Sequence, residues 1–584
     1  MSVDSRLDIR SLHAAYASGA LTPASLLRAI YARMDKERAP AVWIARVELD
    51  RALARAEELG SFDPALPLYG VPFAVKDNVD VAGMPTTAAC PAYSYLPKVS
   101  SPAVAALLKA GAICLGKLNL DQFATGLVGS RSPYGVPQNV FDARYLSGGS
   151  SSGSGVAVAA HYVTFALGTD TAGSGRVPAA LNNIVGLKPS VGLVSNEGMV
   201  PACASLDCLT VFASNVEDAA LARRVMIGDT RPALPRPAKF KFAIPSWLQF
   251  FGNEDSKASW ERAVKRLESL GGERGELDFA PFRELGDMLY GPFVVERLLG
   301  VGDFIDAHQD AVLPITRNII LGGKKYSASD AFTAFQRFHA LKAQCLAALR
   351  AFDFLLMPTV PTHFTIDEEG SDPATNDKLG IYTRFVNFIG CPVMSVPADF
   401  RADGLPFGIS LLALPGEDLK LDALADAMHR LSDAGMGKAR HPLPTFTDTS
   451  RPPPAQCRLA VVGAHMSGLA LNQQMLDVDA RYVATVRTAP IYRFYALPNT
   501  KPERPGMVQV KDGGASIELE LWDMSWEALG TFMAKVPAPL AIGSVQTEDG
   551  ELVKGFLCES FAVEDARDIS SFGGYRKYLA SAPR

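Results

Sequence analysis

The chain has 584 residues, 48% of them hydrophobic and 20% charged, with a formal net charge of −5. That length exceeds what one core usually accommodates, so two or more domains are expected. The mildly acidic balance removes any electrostatic reason to bind nucleic acid or an anionic membrane. The opening MSVDSRLDIR has no apolar signal-like stretch, and no run approaches membrane-spanning length, so the expected location is cytoplasmic. Eight cysteines form no CxxC pair and only eight histidines occur, so reduced thiols, no metal and no cofactor are expected.

Residues 7–60 read as helical scaffold. Thr22-Pro23 is an N-cap followed by proline at the first helical position, and Leu26, Leu27, Ile30, Tyr31 and Met34 form one apolar face. From 68 to 200, short apolar strands (VPFAV, GAICLG, VTFALG) alternate with helical runs such as SPAVAALLKAG. That alternation argues an α/β domain around a mixed sheet. In LYGVPFAVKDNVDVAG, Val71, Phe73 and Val75 alternate as one face of a strand, and Lys76 lies at its end. A lysine desolvated there favours its neutral form and can accept a proton, although most lysines are solvated surface charges.

The stretch Ser147–Pro178, SGGSSSGSGVAVAAHYVTFALGTDTAGSGRVP, places two serine-bearing, glycine-hinged loops on either side of one helix–strand unit. Backbone N–H groups can converge there, with serine hydroxyls beside them. The spacing G-x-x-x-x-G-K-[ST] is absent, and Gly153-x-Gly155 lacks the third glycine of a dinucleotide fingerprint, so nucleotide binding is discarded. The nearby His161 falls in an apolar segment and reads as core. A nucleophilic serine here therefore has no obvious histidine base.

Between 215 and 350 the chain reads as more helical and more charged. In LYGPFVVERLLG (289–300), Tyr290, Val294 and Arg297 share a face if the segment is one helix. FLLMPTVPT, CPVMSVPADF and GLPFGISLLA read as core strands, and EDLKLDALADAMHRL as an amphipathic helix. HPLPTFTDTSRPPPAQ (441–456) reads as a semi-rigid linker between a domain over 1–440 and a second over 457–584. The second domain opens with CRLAVVGAHMSG, a strand entering a glycine turn, where His465 occupies the place of the second fingerprint glycine.

GVPFAVKDN, KLNLDQFATG, GGSSSGSG, ALGTDTAGSGRVPAA and VGLKPS, in that order, resemble the blocks of the amidase signature family over roughly residues 1–440. The resemblance implies that fold, a mixed central sheet flanked by helices. It also implies a catalytic triad in which Lys76 is the base, Ser150 the bridging serine after a cis peptide from Gly149, and Ser174 the nucleophile. The backbone N–H groups of Thr171, Ala172, Gly173 and Ser174 would form the oxyanion hole. Ser151 would hold Lys76, while Asp170 and Arg176 would brace the loops. Ser152, Ala172 and Gly175 depart from the family pattern but spare the three catalytic positions.

LYGPFVVER, DTAGSGRVPAALNN and NDKLGIYTRFVNFIGCP resemble one branch of that family, the allophanate hydrolases. There the counterparts of Tyr290 and Arg297 hold allophanate, a small anionic substrate whose carboxylate suits a bidentate guanidinium. The second domain resembles that branch's C-terminal α+β domain, similar to the γ-glutamyl cyclotransferase fold. The likeness implies a role in decarboxylating N-carboxycarbamate, with His465 as functional residue and Ser467 and Asn472 beside it; a structural histidine in a tight turn is the competing reading. The implied overall role lies in urea or s-triazine nitrogen catabolism. No biotin-carrier string occurs, so the expected partner is a separate urea carboxylase or an upstream amidohydrolase, and the chain is expected to form a homodimer. The alternatives are a hydrolase of another small acidic amide and a non-catalytic scaffold subunit.

Overall fold

A computed structural model describes residues 7–37, 41–231, 233–444, 456–478, 480–498 and 503–581. The chain divides into two compact units, Met1–Pro444 and Thr445–Arg584. Most of the Pro-rich stretch 441–456 lies outside the described residues.

The first unit is built on an eleven-stranded sheet. Its strands are β1 (Trp43–Arg46), β2 (Pro72–Lys76), β3 (Ile113–Leu118), β4 (Phe165–Asp170), β5 (Val185–Lys188) and β6 (Cys208–Ala213). They continue with β7 (Phe240–Pro245), β8 (Gly272–Leu277), β9 (Phe354–Pro358), β10 (Val393–Phe400) and β11 (Pro406–Leu412). The order is β1-β3-β2-β4-β6-β5-β10-β11-β9-β7-β8. Strands β2, β4 and β6 are buried along their whole length, as expected of strands covered on both faces. The expected helices Ile9–Ala17, Pro23–Glu37 and Leu49–Glu58 form, but β1 interrupts them as an edge strand. The region read as helical between 215 and 350 also supplies β7 and β8, which extend the sheet beyond β9.

The topology at the sheet centre determines where chemistry can gather. β2 runs parallel to both β3 and β4, with Val75 opposite Leu167. The carboxyl ends of these strands therefore open on one side, carrying Lys76 and Asp170 to the same edge of the sheet. Ligands in open α/β sheets are commonly bound at such strand ends. Between the β3 and β4 ends lies a short, wholly buried helix, Ser152–Ala159. Its small residues are required by close packing: a Cβ at Gly153 would fall 2.5 Å from the Val42 carbonyl oxygen.

The second unit has a five-stranded sheet and a three-stranded one. The larger joins β12 (Gln456–Val461), β13 (Arg481–Arg487), β16 (Glu518–Ser525), β17 (Leu540–Gln546) and β18 (Leu552–Cys558) in the order β13-β16-β12-β18-β17. The smaller joins β14 (Tyr492–Leu497), β15 (Arg504–Gln509) and β19 (Arg567–Asp568), with β14 in the middle. Leu459, Val461, Phe494, Leu519 and Trp522 belong to its core. Among the described residues, no helix is long and apolar enough to cross a membrane.

Candidate active site

Lys76 ends β2 and is fully buried. Its Nζ lies 2.7 Å from Ser150 Oγ and 2.7 Å from Thr169 Oγ1. Burial without a directly bonded carboxylate disfavours the ammonium and holds its pKa down to about 7, against the opposing pull of Asp121, Asp207 and Asp170. The neighbouring Asp77 pairs with buried Lys117 at 3.2 Å and accepts the Thr87 N–H at 2.9 Å, which pins the turn leaving β2. A substantial share of Lys76 is therefore neutral near pH 7.

Ser150 follows a cis peptide bond from Gly149. Its carbonyl accepts the Asp121 N–H at 3.0 Å, and the Gly149 N–H donates to the Leu127 carbonyl at 2.8 Å. The Asp121 carboxylate in turn accepts the N–H groups of Gly129 and Arg131, at 3.0 and 2.9 Å. Asp121 thus joins the 127–131 loop to the serine loop. Ser151 does not hold Lys76, contrary to expectation. Its hydroxyl faces the backbone of β4 and donates to the Thr169 carbonyl at 3.2 Å, while the Thr169 side chain takes the lysine contact.

The second loop is fixed from below by Asp170, which is fully buried. Burial raises this carboxyl, but the Arg176 guanidinium outweighs it and leaves the group below its usual range. Arg176 grips it in fork geometry, Nε at 2.9 Å and Nη2 at 2.8 Å. Asp170 also accepts the N–H groups of Gly173 and Gly175, each at 2.9 Å. The expected bracing by Asp170 and Arg176 is therefore visible as geometry, while the Gly173 N–H is already committed to Asp170 and does not point free to a ligand. Gly173 has φ +136°, and a Cβ there would fall 2.3 Å from Thr383 Oγ1, so a larger residue is barred twice. Thr383 donates its hydroxyl to the Ala172 carbonyl at 2.7 Å, and Thr171 hydrogen-bonds Asp207. Burial pushes Asp207 up to about 6 despite the N–H groups of Ala202 and Cys203 at 2.8 and 3.0 Å. Ser174 is 3% exposed, and among the described residues its hydroxyl has no hydrogen-bond partner, Ser150 included.

Tyr290 and Arg297 do not share one helix. Tyr290 ends a short 3-10 turn, Met288–Tyr290, and Arg297 sits in a separate helix, Val294–Ala307. Gly291-Pro292 divides them, since proline lacks the N–H that would continue the first turn. Arg297 is nevertheless buried at 3% exposure, donating to Thr125 Oγ1 at 3.0 Å and the Ala124 carbonyl at 3.5 Å. Its Nε has no partner, and among the described residues no carboxylate lies within ion-pair distance. The adjacent Glu296 is turned away onto Ser205. The field of Arg297 draws the buried Asp207 carboxyl downward without a direct ion pair, so an anionic ligand in contact with the guanidinium would still be favoured. The field of Arg297 reaches Lys76, whose ammonium form it disfavours, so the two belong to one electrostatic neighbourhood. The Tyr290 hydroxyl accepts the Asn376 side-chain amide at 3.2 Å.

In the second unit His465 is half-buried, stacked on Phe556 with ring centroids 5.2 Å apart, and its Nε2 meets Gln474 Oε1 at 3.1 Å. Burial lowers its pKa below the ordinary 6.5, so the ring is mainly neutral at pH 7 and less of it carries a proton to give than in an unperturbed histidine. Asn472 caps the His465 carbonyl at 3.0 Å, and Ser467 donates its N–H and hydroxyl to Glu520. Glu520 is also bound by Arg576 and by the Trp522 indole. Among the described residues no group of three or more histidine, cysteine, aspartate or glutamate side chains could hold a metal.

The family model Amidase matches residues 25–421, and the model Allophanate hydrolase C-terminal domain matches residues 457–580. The urea amidolyase of Saccharomyces cerevisiae is 40% identical over 591 aligned positions, covering 95% of this chain and 32% of the yeast protein. That of Lachancea kluyveri is 41% identical, covering 88% of this chain and 30% of its own length. This chain thus spans about a third of these relatives. The structure of Kluyveromyces lactis allophanate hydrolase superposes with TM-score 0.79 at 38% identity, covering 99% of this chain and 100% of that one. The K. lactis urea amidolyase superposes with TM-score 0.80 at 39% identity over 98% of this chain and 36% of that one.

Proposed function

This chain belongs to the amidase family, and on that footing we propose that it hydrolyses allophanate to ammonia and N-carboxycarbamate. The observation that carries the substrate is Arg297, a buried guanidinium close to the Lys76 amine with no carboxylate in ion-pair contact among the described residues. In this reading neutral Lys76 accepts a proton from Ser150, which accepts one from Ser174 as Ser174 attacks the terminal amide carbonyl. The Ser150–Ser174 contact closes when substrate aligns the nucleophile, since catalytic hydrogen bonds are often long before binding. The N–H groups of Thr171, Ala172 and Ser174 stabilise the oxyanion, because Gly173 is engaged with Asp170. Protonation of the leaving nitrogen releases ammonia, and water then cleaves the acyl-enzyme by the same relay. The substrate carboxylate rests on Arg297, with Tyr290 beside it. Allophanate itself is supplied by a reaction that carboxylates urea or by an upstream amidohydrolase.

Arg297→Lys tests the anchor. A point charge cannot reproduce a planar fork. The expected loss in kcat/KM for allophanate is about 100-fold, with less than about 3-fold on a neutral amide. Equal losses on both substrates would reduce Arg297 to a structural role and favour a hydrolase of another small amide.

The C-terminal unit, matched to the domain of that description, is assigned to decarboxylation of the first product. The neutral imidazole of His465 beside the Ser467–Glu520–Arg576 cluster supports binding and orientation more than acid catalysis. His465→Ala is expected to leave ammonia release within about 2-fold while carbon dioxide lags and N-carboxycarbamate accumulates, followed by carbon NMR with labelled allophanate. Release of both gases in step with the parent would remove His465 from the reaction.

A further inference from the structure

We propose that Asn376 is a positioning residue that sets the direction of the Tyr290 hydroxyl and ties the carboxylate end of the site to the Ser150 end. The inference rests on the allophanate reading above. Asn376 is 5% exposed and lies in the short helix Thr375–Leu379, inside the segment NDKLGIYTRFVNFIGCP. Its two amide atoms have different tasks. Oδ1 accepts the Leu127 N–H at 2.8 Å, and Nδ2 donates to the Tyr290 hydroxyl at 3.2 Å.

A backbone N–H can only donate, so Leu127 fixes which way the Asn376 amide faces. Nδ2 must then point at Tyr290, and it can only donate. The phenol oxygen is thereby made an acceptor towards Asn376, and its own proton is left free to point elsewhere. With Arg297 holding the carboxylate, that proton is available as a second donor to the same anion. Asn376 thus keeps Tyr290 in the donor role that an anionic substrate requires.

The same contact reaches the nucleophile relay through one peptide. Leu127 gives its N–H to Asn376 and takes the Gly149 N–H on its carbonyl at 2.8 Å. Gly149 leads directly into Ser150. The chain Tyr290–Asn376–Leu127–Gly149 therefore links the anchor to the bridging serine by three hydrogen bonds. Further along the segment, Thr383 holds the Ala172 carbonyl and Asn387 donates to the Asp170 carbonyl at 2.7 Å. One stretch of sequence thus clasps the anchor, the serine loop and the nucleophile loop.

Asn376→Asp tests the polarity argument with almost no change of shape. A carboxylate still accepts the Leu127 N–H, but it takes the Tyr290 proton and adds a negative charge near the anion. Ammonia release from allophanate is expected to show KM raised about 10- to 100-fold with kcat within about 3-fold. In a Tyr290→Phe background Asn376→Ala, which removes the amide without adding a charge, should add less than about 3-fold, because the hydroxyl through which Asn376 acts is gone. A loss confined to kcat, an unchanged KM, or a full multiplicative loss in the Tyr290→Phe background overturns the proposal. Should Asn376→Asp not fold, as judged by circular dichroism and melting, Asn376→Ala carries the same two comparisons. An unmodified chain that releases no ammonia from allophanate instead overturns the substrate reading, a separate result from a parent that is active and a variant that is unaffected.

Discussion

Ser174→Ala is expected to release no ammonia from allophanate above the uncatalysed background, a loss on the order of 10⁴- to 10⁶-fold in kcat. The size follows from chemistry: alanine has no atom that can form the acyl bond, and the neighbouring N–H groups alone cannot supply one. The fold should not notice. The Ser174 hydroxyl has no hydrogen-bond partner among the described residues, so its removal strands no polar group. The loop is held through Asp170, Arg176 and Thr383, none of which the change touches. A melting temperature within a few degrees of the parent, alongside absent turnover, is the expected pair of results. Retained activity would move the nucleophile to another side chain.

Lys76→Met carries the second large effect. Methionine fills most of the buried volume but offers no amine to accept the Ser150 proton, so kcat should fall by about 10³-fold or more. The parent's pH dependence supplies the complementary evidence. With the folded-state pKa of Lys76 held near 7, the neutral, competent form is the minor species at pH 6 and the major one at pH 8. The kcat/KM profile should therefore rise with pH through an apparent value of about 7, and the residual activity of Lys76→Met should lack that limb. A profile flat between pH 6 and 8 in the parent would mean that Lys76 is not the base.

The two loops that carry Ser150 and Ser174, and the strand that ends at Lys76, were legible in the sequence because their patterns are local. Two Gly/Ser loops around one helix–strand unit, and a lysine closing an apolar strand, are patterns in adjacent residues. The strand alternation around VPFAV and VTFALG likewise pointed to the mixed sheet that forms. The edges of that sheet were not legible. β8 has the sequence GERGEL and is largely exposed, so it carries none of the apolar alternation that marks a strand. Thr169 and Asn376 escaped notice for a different reason. Each acts on a residue dozens to hundreds of positions away, Thr169 on Lys76 across the β2–β4 pairing and Asn376 on Leu127 and Tyr290. No spacing rule encodes such contacts. A threonine next to Asp170 at the end of a buried strand was the one available signal for the first. The shared helical face assigned to Tyr290 and Arg297 failed at Gly291-Pro292, a break visible in the sequence itself. For His465, only the packing of Phe556 and Phe532 against the ring reveals that burial lowers its pKa.

The central claim is that the Lys76–Ser150–Ser174 site cleaves an anionic amide anchored by Arg297. Its most direct test is ammonia counted per molecule of allophanate consumed by the unmodified chain, beside a panel of neutral amides of similar size. Rapid, saturable ammonia release from allophanate, with kcat/KM at least about 100-fold above every neutral amide, is the predicted result. Comparable or faster turnover of the neutral amides would contradict the account, because the Arg297 guanidinium would then have no part in choosing the substrate.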